Sequence, residues 1–233
     1  MTDKHLSTQF DAELSGISAR VLEMGGIVES QVAQAVLALT TFSTDLASSV
    51  LQTEEKVNAM EVDIDRNLHS IIARRQPTAR DLRLLIAVSK TIANLERVGD
   101  EAARIARMVQ RLIDAGVSTR LPISDLAFEA QLATASLRKA LDAFARLDVD
   151  RALEVLKQDD EIDREFDGLM RKLITYMMED PRTISSAIDL VFVAKAIERV
   201  GDHAKNLAEV IIYVVKGTDV RHNTPEAVET MVR

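Results

Sequence analysis

Cysteine and tryptophan are both missing from this chain of 233 residues, and aromatic side chains make up only 3% of it. Without cysteine there can be no disulfide, no thiolate metal site and no cysteine nucleophile. Proline occurs four times and glycine eight times, too rarely to break up long helices. The apolar run at residues 190–194 is closed by Asp189 and Lys195, far short of the ~20 residues that span a bilayer. The opening MTDKHLSTQF has neither an apolar stretch nor a cleavage site, so no signal peptide is expected. With a formal net charge of −8 and no basic block, the chain is ill suited to binding a phosphate backbone, and no nucleic-acid partner is expected.

Hydrophobic residues account for 47% and charged ones for 28%, which suits a cytoplasmic protein with a substantial core. Apolar positions recur at helical spacing nearly throughout. The first helix, from about Leu6 to Thr41, carries Ile17, Val21, Val28, Val32 and Leu39, with Gly25-Gly26 as a kink or a close helix contact. Ser43-Thr44-Asp45 offers caps for a second helix, which Gln76-Pro77 ends. A third runs from Thr78 or Asp81 to about Ala115. The most loop-like stretch is residues 116–122. Beyond it, Ser124-Asp125 caps a fourth helix, a fifth begins near Asp148 or Asp150, Asp180-Pro181 breaks it, and a sixth follows. The expected class is all-α: two tandem pseudo-symmetric three-helix bundles. We place them at residues 1–118 and 119–217. A tail at 218–233 frays or packs loosely, and Pro225-Glu226 can open a short last helix.

The chain is written twice. Glu96-Arg97-Val98-Gly99-Asp100 recurs letter for letter as Glu198-Arg199-Val200-Gly201-Asp202, an offset of 102 residues. Ahead of the proline turn the offset is 105, which lays Val57-Asn58 on Ile162-Asp163. On a helix the Glu and Asp of the pentapeptide share a face, with Cβ atoms about 5–6 Å apart. Like charges so placed cost a few tenths of a kcal/mol, and the glycine about 1 kcal/mol relative to alanine. A bound cation, a basic partner or a closely packed neighbouring helix would each account for features this costly.

The preceding helix of each half adds a second acidic spacing, Asp159/Asp163 with Glu54/Asn58 at the matching places and Glu61/Asp65 nearby. Oxygen-only donors suit hard cations such as Mg, Mn, Ca or iron. We therefore expect one metal site per half, centred on Glu96/Asp100 and on Glu198/Asp202. The competing reading is a solvated acidic face neutralised by Arg97, Arg104, Arg199 and Lys205. His203 follows the second motif, but Glu101 holds its place in the first, and adjacent helical positions diverge by about 100°. No Gly-rich phosphate loop, HExxH or G-x-S-x-G is present, so an enzyme is not expected.

Two three-helix halves, each with E-R-V-G-D in its third helix, resemble the PhoU family of phosphate-uptake regulators. The stretch Tyr213-Val214-Val215-Lys216-Gly217-Thr218-Asp219-Val220-Arg221-His222 also looks like that family's C-terminal signature. The resemblance implies metal binding through Glu/Asp-x-x-x-Asp motifs, here Glu96/Asp100, Glu198/Asp202 and Asp159/Asp163. Glu54/Asn58 departs from the pattern, as do Arg104 and Arg107 where the second half has Asn206 and Glu209. It further implies a non-enzymatic, dimeric adaptor, peripheral to the membrane through its partners. Those partners would be the ATPase subunit of the phosphate ABC transporter and the sensor histidine kinase of the phosphate two-component system. The role implied is negative regulation of phosphate uptake and of the starvation response. The alternative is a carboxylate bundle that stores or handles metal.

Overall fold

The computed structural model describes residues 8–116 and 121–232. Seven helices occupy the described residues, in the order α1 (Thr8–Thr41), α2 (Thr44–Arg75), α3 (Ala79–Asp114), α4 (Ile123–Arg146), α5 (Val149–Glu179), α6 (Ile184–Lys216) and α7 (Pro225–Val232). Within each half the three long helices pack on one another, α1–α3 in the first and α4–α6 in the second. α3 and α6 then lie antiparallel against each other, and α1 packs on α4. The alternation of apolar residues read from the sequence puts Ile17, Val21, Val32, Leu95, Ile105, Leu137, Ile197 and Ile211 in one cluster of buried residues that runs through both halves. Full burial of each such side chain contributes about 1.5–3 kcal/mol.

The turns repeat as the sequence does. Phe42 (φ 50°) and Leu147 (φ 51°) stand 105 residues apart in the same left-handed conformation. Each precedes a cap whose side chain accepts a backbone N–H, Ser43 from Leu46 and Asp148 from Arg151. Gln76 closes α2, and Asp180 both closes α5 and caps the single 3-10 turn Pro181–Thr183.

One open alternative is decided and two expectations change. Gly25-Gly26 does not interrupt α1, which runs unbroken for 34 residues. Instead a Cβ on Gly25 would lie 2.5 Å from Leu141 Cδ2 of α4, while one on Gly26 would meet nothing within 4 Å. The glycine that matters is thus the one at the seam between halves. α4 begins at Ile123 behind Pro122, with no side-chain cap; Ser124 and Asp125 fall inside its first turn, and Asp125 pairs with Lys172 of α5. The tail is not loose, because Val220, Val228 and Val232 are buried and Lys157 Nζ reaches Glu229 at 2.6 Å. Leu6 and residues 117–120, where the first helix was expected to begin and the boundary to fall, lie outside the described residues.

Candidate functional site: two carboxylate faces

The pentapeptide brings two helices together. Val98, Gly99 and Ala102 are buried on α3, and Val200, Gly201 and Ala204 on α6. A Cβ on Gly99 would lie 3.3 Å from Val57 Cγ1 of α2, and one on Gly201 would lie 2.8 Å from Ile162 Cδ1 of α5. Val57 and Ile162 are matching residues, so the glycine allows the same close helix approach twice. Beside that approach, the acids of α2 come near those of α3, and the acids of α5 near those of α6.

In the first half the coupled acids are Glu54, Glu61, Glu96 and Asp100. Burial raises the carboxyl of Glu54, and Asp100 adds to the effect against Arg107, whose Nη1 stands 3.5 Å from Glu54. Glu96 is raised by burial and by the charges of Asp100 and Glu61. Glu61 is raised by burial and by Asp65. Asn58 is exposed and neutral, so Glu61 is the further acid that α2 contributes here.

In the second half Asp159, Asp163, Glu198 and Asp202 lie near enough to feel one another's charge. Asp202 is pushed up to about 6 by burial, then by Glu198 and Asp159. Asp163 is raised by burial, then by Asp159 and Glu198. Two ammonium groups answer this charge. Lys195 Nζ lies 2.7 Å and 2.6 Å from the two oxygens of Glu198, and Lys205 pairs with Asp159. The neutralising set differs from the one read in the sequence. Lys205 and Arg97 do meet acids of the two faces, Arg97 at 3.6 Å from Glu96. Arg199 and Arg104 instead converge on buried Glu101 at the seam, at 2.9 Å and 3.3 Å.

His203 turns toward the same seam. Its Nδ1 is 3.0 Å from Asn94 Oδ1, and burial, then the charges of Arg199 and Arg97, lower it to about 4. Asp202 also forms part of the wall of a cavity of 450 Å³, together with Arg199, Lys205, Arg221 and His222.

The donors are oxygen-only and partly desolvated, which is the chemistry of a hard-cation site. In the second half two lysine ammoniums already stand as tethered cations on those donors. Among the described residues no three Asp, Glu or His side chains are drawn together as a ready metal cage. The side chains of Lys195 and Lys205 that stand on those donors are 47% and 39% exposed.

The comparisons with known proteins repeat the internal duplication. The PhoU domain matches twice, over residues 21–109 and 129–211. The chain belongs to the PhoU family. A PhoU homologue from a Burkholderia species, a phosphate-specific transport system accessory protein, is 49% identical over 227 residues, 97% of each chain. The accessory protein PhoU of Escherichia coli K12 is 44% identical over 221 residues, covering 94% of this chain and 90% of that one. The crystal structure of PhoU from Pseudomonas aeruginosa superposes with a TM-score of 0.85 at 44% identity, over 90% of this chain and all (100%) of that one. The phosphate transport system regulatory protein PhoU from Streptococcus pneumoniae gives 0.84 at 26% identity, over 91% and 99%. These PhoU proteins carry the names of accessory and regulatory proteins, not of enzymes.

Two participants were missed in the sequence. Lys195 lies three residues before Glu198, a spacing that could have been read as an i,i+3 pair. Glu129 of α4 is buried with both carboxylate oxygens unpartnered. Its signal was an acid on an apolar stripe, flanked by Leu126, Ala130 and Ala133.

Proposed function

We propose that this protein is a cytoplasmic regulator of phosphate transport that restrains uptake and the starvation response when phosphate is plentiful. It acts by contact with the transporter's ATPase subunit and the sensor histidine kinase. The observation that carries the reading is family membership over nearly the whole length, with relatives named as accessory proteins of the phosphate-specific transport system. Among the described residues no helix is long and apolar enough to cross a membrane. A protein that acts by contact works by biasing a partner between two states. The carboxylate faces bind a hard cation (Mg, Mn, Ca or iron), and the protein works as a homodimer.

A strain without the gene, grown in excess phosphate, tests the reading. Starvation genes switched on despite abundant phosphate, and silenced again by the wild-type copy, are the expected result. Unchanged expression and uptake would reject it. A complementing copy carrying Glu198→Ala with Asp202→Ala then reads the metal face, which silences the genes only if the cation is dispensable.

A further inference from the structure

Beyond the second carboxylate face, toward the turn that joins them, the groove between α5 and α6 becomes apolar. The two helices run antiparallel, with Ile162 packed on Gly201 and the Thr183 hydroxyl donating to the Tyr176 carbonyl. That register sets Ile174 level with Ile188 and Met178 level with Ile184. Phe166, Met170, Ile174 and Met177 follow one side of α5 at helical spacing, and Ile184, Ile188, Val191 and Lys195 one side of α6. The Lys195 ammonium, 5.3 Å from the centre of the Phe166 ring, joins the two stripes at their inner end. At the outer end the side chains stand in solvent: Ile174 is 53% exposed, Met178 80%, Ile184 40% and Ile188 43%. A contiguous exposed apolar patch rimmed by polar residues marks an interaction site.

The first half shows that the fold does not require this. At the offset of 105, Phe166, Met170 and Ile174 match Glu61, Asp65 and His69, and His69 pairs there with Asp65 at 3.2 Å. One place in the bundle is thus a solvated, self-paired surface in the first half and a bare apolar one in the second. The charge beside it is equally one-sided. Toward the second face α5 carries Asp159, Asp160, Glu161, Asp163, Glu165 and Asp167 against Lys157 and Arg164. Asp160, Asp163 and Asp167 are exposed, while Lys157 is held by Glu229 of α7 at 2.6 Å. The groove is therefore divided along its length, apolar near the turn and acidic beyond it.

We infer that this groove docks an amphipathic helix of a partner protein, with apolar anchors at one end and Lys or Arg at the other. The anchors lie on Ile174, Met178, Ile184 and Ile188, and the basic end lies over the acids of α5. From Met178 to Asp163 is about 15 residues, or roughly 22 Å, so the docked helix has about four turns. Helices bound in this way are read through anchors spaced at i, i+3, i+4 and i+7. Charge selects this occupant over others. A second copy of the chain, at net charge −8 and without a basic block, has nothing to set on the acids. An anionic lipid surface is repelled by them. This deepens the proposed regulation by contact, and rests on it only for which protein supplies the helix.

Fluorescence anisotropy on the full-length protein, in EDTA, tests it with labelled synthetic peptides of about 16 residues. One set carries Leu anchors in one half and Lys in the other, in both orders; a matched set has Glu in place of Lys. The expected result is saturable binding of a Leu/Lys peptide and none of the Leu/Glu set. Ile174→His with Met178→Ala installs the residues of the first half, with circular dichroism to confirm folding. It should weaken binding about tenfold or more, because the apolar area the peptide covers is lost. Asp163→Asn with Asp167→Asn should weaken it less, and the difference should disappear near 1 M salt, where the Debye length is about 3 Å. No saturable binding, equal binding of the Leu/Glu set, or unchanged affinity in Ile174→His with Met178→Ala would each overturn the inference. Loss of self-association in that variant by sedimentation equilibrium would instead assign the groove to a second copy, and loss of binding to phosphatidylglycerol vesicles would assign it to a lipid surface. In cells the same variant should leave the starvation genes on in excess phosphate. A deletion strain with unchanged expression would reject the phosphate role while leaving the peptide result standing.

Discussion

In the first half the acid that supplements the pentapeptide comes from α2, as Glu61 at the rim; in the second it comes from α4, as Glu129 in the interior. The place matching Glu61 is taken by Phe166, whose ring lies 5.3 Å below the Lys195 ammonium. The place matching Glu129 is taken by Met24. Each half has kept the pentapeptide and the helix approach that its glycine permits, while the supporting acids have moved. The neutralising cations have diverged as well. Arginines serve the first face and lysines the second. The arginines stand off at 3.6 Å and 3.5 Å from single oxygens of Glu96 and Glu54, whereas Lys195 sits at 2.7 Å and 2.6 Å from both oxygens of Glu198. The first face is thus loosely neutralised, and the second is tightly paired.

The strongest test of that contrast is a pair of double variants. Glu198→Ala with Asp202→Ala should abolish tight Mn binding, a drop of 100-fold or more on the order of losing two ligands at 10–100-fold each. Glu96→Ala with Asp100→Ala should leave the tight site in place. Equal losses on dialysis would erase the distinction between the faces.

A second test uses pH and no metal. Glu129 is held protonated up to about 8 and Asp202 up to about 6, each by burial first and neighbouring acids second. Between the ordinary carboxylate range and those values the folded chain binds protons that the unfolded chain has released. The stability they contribute is complete at low pH and is lost as pH rises through the folded values. His203 acts oppositely: lowered to about 4 by burial first, it makes the folded chain bind fewer protons up to about 6.5, so that stability rises over that span. Above pH 6.5 Glu129 is the carboxyl held up furthest. Urea unfolding should therefore show stability declining by up to about 2 kcal/mol from pH 6.5 to 8. The decline should vanish in Glu129→Met and persist in Glu96→Gln; persistence in both would break the comparison.

The smallest effect concerns the seam. At Gly26 an added methyl has open space, so Gly26→Ala should stabilise by up to about 1 kcal/mol through helix propensity. At Gly25 the same methyl drives into Leu141, and overpacking of about 1–3 kcal/mol outweighs that gain. Thermal unfolding of the two variants should move in opposite directions.

The six long helices and the repeat were legible because helical periodicity and a duplicated pentapeptide are local signals. So were the acids of the second face, since i,i+4 spacing fixes a shared helix side. The partners of those acids were not. Whether Arg199 meets Asp202 or Glu101 depends on how α6 is rotated against α3, and nothing within α6 states that angle. Glu129 was hidden for a similar reason, because an isolated acid acquires meaning only once burial shows that nothing answers it. In the tail the short helix opened by Pro225 was legible, but its packing was not. Its anchoring valines are three positions spread over residues 220–232, too few to form a periodic pattern.

The seam between α3 and α6 also sets an order of events in synthesis. Arg83 donates to Val214 O at 3.4 Å, Lys90 covers the ring of Tyr213, Glu101 takes Arg199, and Arg111 reaches Asp189 at 3.0 Å. Every one of these ties needs a residue from the last of the long helices. When α3 leaves the ribosome, the chain that will cover Glu101 and the neighbouring apolar side is still about 100 residues from completion, a delay of roughly 5–20 s at 5–20 residues per second. Through that interval the nascent first half carries an uncovered flank, which makes it a client for whatever shields unfinished chains.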